Sequence, residues 1–365
     1  MRPRIDCRHF LGHRPCGLGK ECRGCRHYAP WRERCLIIKL AAKGDVLRTT
    51  PLAAALKRDK PDTMVTWLTD ADALPLLRHN PHIDRLLPYD AASLVQLGAE
   101  RFDRLICLDK EPRAAALASS LDSGRKQGFG WDPRGGLVPM DHRAAFLYRL
   151  GLSDEIKFRV NRKSYQQLVI EAAGLKHEGL GYHYTVTREE AEWAAGYLSK
   201  TIKAGSRRPW IGVNTGTGRA YPAKAWPAAN QAKLVRELKG GKLGTPVILG
   251  GPDEKGVVEK LRRLCPGTPA IAPDLDIRSF AAVISRLDMV VSSDSLAMHL
   301  AIALKRRTIA LFGPTCSREI DLYGLGEKLE LGLECSPCYR ASCPDAGCMA
   351  GLTATMVLEA IERLT

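Results

Sequence analysis

The chain has 365 residues, with 45% hydrophobic, 26% charged and 6% aromatic side chains, a composition that excludes a disordered or fibrous protein. Fifty-five Lys and Arg against 40 Asp and Glu leave a net charge of +15, which favours an anionic partner: nucleic acid, a nucleotide-bearing substrate or an acidic membrane surface. The length points to two domains or one large α/β unit. No apolar run reaches the length of a membrane span, and "MRPRIDCRHFLGHRPCG" lacks the apolar core of a secretory leader, so a cytoplasmic location is expected.

In chain order, residues 1–34 form a cysteine-rich arm holding Cys7, Cys16, Cys22 and Cys25, and a second cluster, Cys335, Cys338, Cys343 and Cys348, lies near the other end. In a reducing compartment such clusters argue for metal rather than disulfides. Each contains a C-x2-C step, which lets two thiolates on one tight turn grip a tetrahedral ion while two more complete the shell. Structural zinc is the first reading. Free thiols, cross-pairing of the two ends and an iron–sulfur cluster are the alternatives. Cys35, Cys107, Cys265 and Cys316 stand alone and read as small core hydrophobes.

Between the clusters, short apolar runs alternate with amphipathic stretches, the pattern of parallel strands joined by crossover helices. "CLIIKL", "TMVTWLT", "RLLPYD" and "RLICLD" form one set, with helices such as "PLAAALKRD" and "DALPLLRHN" between them. "WIGVNTG", "TPVILGG", "DMVVSSD" and "TIALFGP" form another, and residues 151–208 connect the two sets. The expectation is two doubly wound domains, residues 35–178 and 179–365, facing a cleft in which ligands bind outside the strand C-termini.

Three motifs fall at such strand ends. In "LIIKLAAKGDVLRTTP", Asp45 reads either as a helix N-cap or as a general base toward an attacking hydroxyl. "NTGTGRAYPAKAWP" presents Thr215, Thr217, Arg219 and Lys224 in a glycine-bearing loop suited to a diphosphate. It lacks the spacing of a Walker A loop, so ATP hydrolysis of that kind is disfavoured. "VVSSDSLAMHLAIAL" sets Ser293, Asp294 and Ser295 where a strand becomes a helix, with His299 five residues beyond Asp294. "TDAD", residues 69–72, matches the D-x-D of metal-dependent transferases, but Asp70 or Asp72 reads better as a helix cap.

Together with "VILGGPDE" and "CSPCYRASCPDAGCM", these segments stand in the order seen in glycosyltransferase family 9, the heptosyltransferases, and the chain resembles that family over residues 35–365. The resemblance implies a GT-B fold, with acceptor in the N-terminal Rossmann-like domain and an activated sugar, usually ADP-heptose, in the C-terminal one. It also implies inversion at the anomeric centre. Asp45 matches the family's base; Thr215, Thr217 and Lys224 match its diphosphate loop. Asp294, Ser295 and His299 match the segment contacting phosphate and sugar, and Asp253 or Glu254 falls where the ribose is held. Lys224, Arg219 and a helix N-terminus can neutralise a leaving diphosphate without a divalent ion, so no catalytic cofactor is expected, and zinc or iron is reserved for the cysteines.

Two departures from the family pattern stand out. Leu296 and Ala297 replace the Gly-Pro or Gly-Leu step that follows the Asp-Ser pair in many members, which bears on donor identity. The arm resembles that of cysteine-rich protein heptosyltransferases. The leading expectation is transfer of heptose to a lipid-linked envelope glycan such as lipopolysaccharide core, at the inner face of an anionic membrane. A Ser or Thr hydroxyl of a secreted protein is the alternative acceptor. A zinc-containing nucleic-acid-binding module is disfavoured because the basic residues are scattered.

Overall fold

The computed structural model describes residues 3–241 and 243–365, so Met1 and Arg2 of the predicted arm lie outside it. The first sheet contains β1 (Glu33–Ile38), β2 (Thr63–Thr69), β3 (Arg85–Pro88), β4 (Arg104–Cys107), β5 (Lys126–Asp132) and β6 (Gly136–Pro139) in the order β3-β2-β1-β4-β5-β6. Its pairings are parallel except for the β5–β6 hairpin. The second contains β7 (Trp210–Asn214), β8 (Thr245–Leu249), β9 (Met289–Ser293), β10 (Arg307–Leu311) and β11 (Gly326–Leu329), all parallel, in the order β11-β10-β9-β7-β8.

Strands covered on both faces carry continuous apolar runs rather than alternation. That is why "CLII" and "VVSS" are buried throughout. The eight expected strands form where the apolar runs placed them. β5, β6 and β11 were not expected: "KQGFGWD" is broken by glycines, and "GLVP" and "GEKL" are four-residue edge segments.

The strand order reverses between β1 and β4 in one sheet and between β7 and β9 in the other. Open α/β sheets bind ligands at such switch points. The segments that follow β1, β7 and β9 are those carrying Asp45, Lys224 and Asp294.

Apolar packing joins the two sheets. The helix Lys43–Thr49, which follows β1, meets the helix Leu296–Ala303, which follows β9. Val46, Leu47, Ala297, Met298, Leu300 and Ala301 belong to one buried cluster. At about 1.5–3 kcal/mol for each large side chain removed from water, this contact outweighs the exposed ion pairs nearby. The helix Arg188–Thr201, closed at its start by a Thr187–Glu190 capping box, packs on the helix Ile277–Arg286. Residues 3–32 of the arm hold no helix or strand beyond a single bridge between Cys7 and Pro30. The arm is tied down by the Arg8–Asp62 pair at 2.7 Å and by Trp31, whose ring meets Arg8 and Lys57.

Candidate active site

The two helices that join the domains both begin at the cleft, so two sets of unpaired backbone N–H groups face the same space. Between them lies a cavity of about 580 Å³, within the range that holds a small ligand. Asp45, Thr217, Arg219, Lys224, Asp294, Ser295 and His299 all line it.

Asp45 is the third residue of its helix, and Ala42 occupies the N-cap. The capping alternative for Asp45 is thereby removed, because the chain turns into the helix before the carboxylate is reached. The turn itself is held by Asp109, a buried carboxylate whose Oδ2 accepts the N–H groups of Leu40 (2.9 Å) and Ala41 (3.2 Å) and faces Lys39 Nζ at 3.2 Å. Asp45 Oδ1 lies 2.9 Å from Arg48 Nε. Burial raises the Asp45 carboxyl, but Arg48, Lys39 and His299 outweigh it and hold the group below the ordinary carboxylate value.

Opposite stands a trio from the second domain. Lys224 Nζ is 3.6 Å from Asp294 Oδ2, and His299 Nε2 is 3.5 Å from Asp294 Oδ1. Desolvation raises the Asp294 carboxyl, while the His299 hydrogen bond and the Lys224 charge bring it well below the usual range. Ser295 caps the helix by accepting the Met298 N–H at 3.5 Å. His299 Nδ1 and Thr315 Oγ1, both in residues lining the cavity, are buried without a hydrogen-bond partner among the described residues. Orphaned buried polar atoms cost about 1–3 kcal/mol each, which a bound ligand would relieve.

Other predicted residues stand back from the cleft. Thr215 and Ser293 are buried at strand ends and do not line the cavity. Glu254 braces the loop carrying Thr217 and Arg219 from behind: its Oε1 accepts the Gly218 N–H and its Oε2 the Gly251 N–H, each at 3.0 Å. Asp253 pairs with the exposed Arg219 at 2.7 Å. Neither acid lines the cavity. Asp70 and Asp72 do line it but do not cap the next helix, Leu74–Leu77, whose N-cap is Ala73; the two carboxylates pair with Arg113 (2.8 Å) and Lys43 (3.0 Å).

The cysteines of each cluster stay near one another. Cys7, Cys16, Cys22 and Cys25 line one small cavity in the arm, and Cys335, Cys338 and Cys343 raise the Cys348 thiol electrostatically, after the larger effect of burial. Among the described residues no three His, Cys, Asp or Glu side chains form a ready set of metal ligands. The second cluster is built into the cleft wall, because the N–H groups of Cys338 and Tyr339 donate to Pro314 O, and Tyr339 lines the cavity. Cys35, Cys107, Cys265 and Cys316 are buried as expected, and burial pushes the Cys35 and Cys107 thiols up to about 12.

Sequence reasoning missed Arg48, Glu319 and Tyr339. Arg48 reads as an ordinary helical cation, and nothing local links it to Glu319, whose Oε2 lies 3.7 Å from Arg48 Nη1.

Two Rossmann-like domains with the Asp45 carboxylate on one wall and the Lys224–Asp294–His299 trio at a helix start on the other define the cleft of a GT-B fold. The profile of glycosyltransferase family 9 (heptosyltransferase) matches residues 92–348, and the chain belongs to that family. It is 24% identical over 315 residues to lipopolysaccharide heptosyltransferase 1 of Escherichia coli K12, covering 80% of this chain and 91% of the relative. The family 9 glycosyltransferase of Veillonella parvula superposes with a TM-score of 0.69 at 22% identity, covering 91% of this chain and 97% of that one. The E. coli ADP-heptose lipopolysaccharide heptosyltransferase II does so with a TM-score of 0.66 at 20% identity, covering 91% and 98%. The expected GT-B fold is the one observed.

Proposed function

We propose that the protein transfers heptose from ADP-heptose to a hydroxyl of a cell-envelope glycan such as lipopolysaccharide core, with inversion and without a divalent ion at the donor. The observation that carries this reading is the convergence of Asp45 and the Lys224–Asp294–His299 trio on one cavity from opposite domains. In a single displacement the acceptor oxygen attacks the anomeric carbon as the bond from that carbon to the ADP oxygen breaks. The electron pair leaves with ADP, and Asp45 takes the hydroxyl proton. Lys224, Arg219 and the N-terminal amides of the helix Leu296–Ala303 offset the charge gathering on the diphosphate. Asp294 holds Lys224 and His299 in place until the donor arrives.

The work is assigned to the cytoplasm, at the inner membrane face, where a charge of +15 suits anionic lipid. Among the described residues no helix is long and apolar enough to cross a membrane. Structural zinc or iron is assigned to the two cysteine clusters, whose thiols would turn inward to ligate it.

The test is calorimetric titration with ADP, UDP, GDP and CMP in magnesium-free buffer, followed by ADP-heptose consumption with heptose-deficient lipopolysaccharide. Selective ADP binding and transfer support the reading. Equal binding of all four nucleotides would remove the donor assignment.

A further inference from the structure

Arg48 is a buried guanidinium shared by two carboxylates from different domains. Its Nε faces Asp45 Oδ1 at 2.9 Å, its Nη1 faces Glu319 Oε2 at 3.7 Å, and its plane lies 3.7 Å over the Tyr165 ring. Asp45 and Arg48 sit one turn apart on the N-terminal domain's helix, whereas Glu319 ends the 3-10 turn Ser317–Glu319 of the C-terminal domain. The side chains of Arg48 and Glu319 are each only 14% exposed, so the guanidinium has little water to turn to.

A guanidinium free of other partners closes on a carboxylate through two parallel N–H groups, occupying both oxygens. Here it does not. Among the described residues Arg48 is the one salt-bridge partner of Asp45, no hydrogen bond closes between them, and its other arm is drawn toward Glu319. Tyr165, packed on the guanidinium face, keeps Arg48 from rotating out of this shared position.

We propose that Arg48 is the positioning residue for Asp45, and that Glu319, sharing it from the other domain, keeps the guanidinium from closing on the base only while the cleft is assembled. The inference rests on Asp45 being the base. It ties proton acceptance to domain closure, so that an open cleft presents a clamped carboxylate. The charged and titratable groups around Asp45 are Arg48 on its own helix, Lys39 after β1, and Asp294 and His299 across the cleft; those around Arg48 are Asp45, Tyr165, Tyr182 and Glu319.

The experiment follows the Asp45 carboxyl by 13C NMR in protein labelled at aspartate Cγ, with Asp45→Asn identifying the resonance. Turnover of ADP-heptose with heptose-deficient lipopolysaccharide and ADP affinity are measured in parallel. Arg48→Met should titrate above wild type, because the nearest cation is gone. Glu319→Gln should titrate below it, because Arg48 then closes on both oxygens. Arg48→Lys should titrate near wild type but fail to restore turnover, since an ammonium cannot serve two carboxylates in a fixed plane. All three should lose about tenfold or more in kcat, a part of what a placed base contributes, with ADP affinity unchanged.

Wild-type turnover in Glu319→Gln and Arg48→Lys, with Asp45→Asn inactive, would overturn this inference and leave the base reading standing. An active Asp45→Asn would overturn both. Should Arg48→Met fail to fold, Glu319→Gln and Arg48→Lys still decide the matter.

Discussion

Gly44 of the N-terminal domain lies against the imidazole of His299 in the C-terminal domain: a β-carbon on residue 44 would stand 2.7 Å from His299 Cδ2 and 3.1 Å from Nε2. The glycine before Asp45 is therefore explained by an interdomain contact. Its absent side chain lets the N-terminal ends of two helices approach until Asp45 and Asp294 line one cavity.

Gly44→Ala should push His299 away and part the domains at the cleft. Overpacking of this kind costs about 1–3 kcal/mol, so the protein should fold with a slightly lower Tm. Turnover should suffer far more if Asp45 is the base proposed here, because Asp45 and the Lys224–Asp294–His299 trio sit on opposite sides of the displaced contact. Kinetics beside a thermal melt checks this; an unchanged kcat would mean that the cleft does not need the close approach.

Lys224 is predicted to clamp the donor. Removing one charge-assisted contact costs about 1.5–3 kcal/mol, so Lys224→Ala should weaken ADP roughly 10- to 100-fold by calorimetry, at about 1.4 kcal/mol per decade. The magnitude should match for ADP and ADP-heptose, since the residue addresses the diphosphate they share.

Asp294 gives a pH signature with a fixed sign. Its carboxyl is depressed in the fold by His299 and Lys224 against the opposing effect of burial. It therefore stabilises the protein above the unfolded aspartate value of about 3.9 and loses that contribution as pH falls through the folded value. The Tm advantage of wild type over Asp294→Asn should be largest at neutral pH and shrink below pH ~4. An advantage that stays constant down to strong acid would mean that the ionised carboxylate contributes nothing.

The strands that place these residues were legible because buried parallel strands need apolar runs, and "CLII" and "MVV" supply them. Asp45, Lys224, Asp294 and His299 were legible because each follows a strand that ends at the cleft. Arg48 and Glu319 were not, since their meaning arises from a contact between segments far apart in sequence. Asp253 and Glu254 show a role that local sequence does not give: the acids after β8 suggest a sugar contact, and the fold also sets the Glu254 carboxylate on the backbone N–H groups of Gly218 and Gly251.

That placement makes a separable prediction. If Glu254 acts by bracing the loop, Glu254→Gln should weaken ADP and 2′-deoxy-ADP by the same factor. A ribose contact would instead make the penalty vanish with the 2′-deoxy nucleotide. The close fit supports the brace, because a β-carbon on Gly216 would meet Glu254 Cγ at 2.0 Å, leaving the loop no room without moving the acid.

The cysteine clusters supply the last test. The arm has neither helix nor strand to hold residues 3–32, and so short a segment usually needs a metal or a covalent staple. Native protein should therefore carry up to two metal ions per chain by elemental analysis, resistant to dilute chelator until unfolding. Cys22→Ser with Cys25→Ser should cost one ion and loosen the arm to proteolysis while turnover persists. Cys335→Ser with Cys338→Ser should cost the other ion and also weaken turnover, because Cys338 and Tyr339 bond to Pro314 O at the cleft wall. Metal-free protein with an undiminished Tm would sink the structural-metal assignment, and equal turnover in the two double variants would separate the second cluster from the cleft.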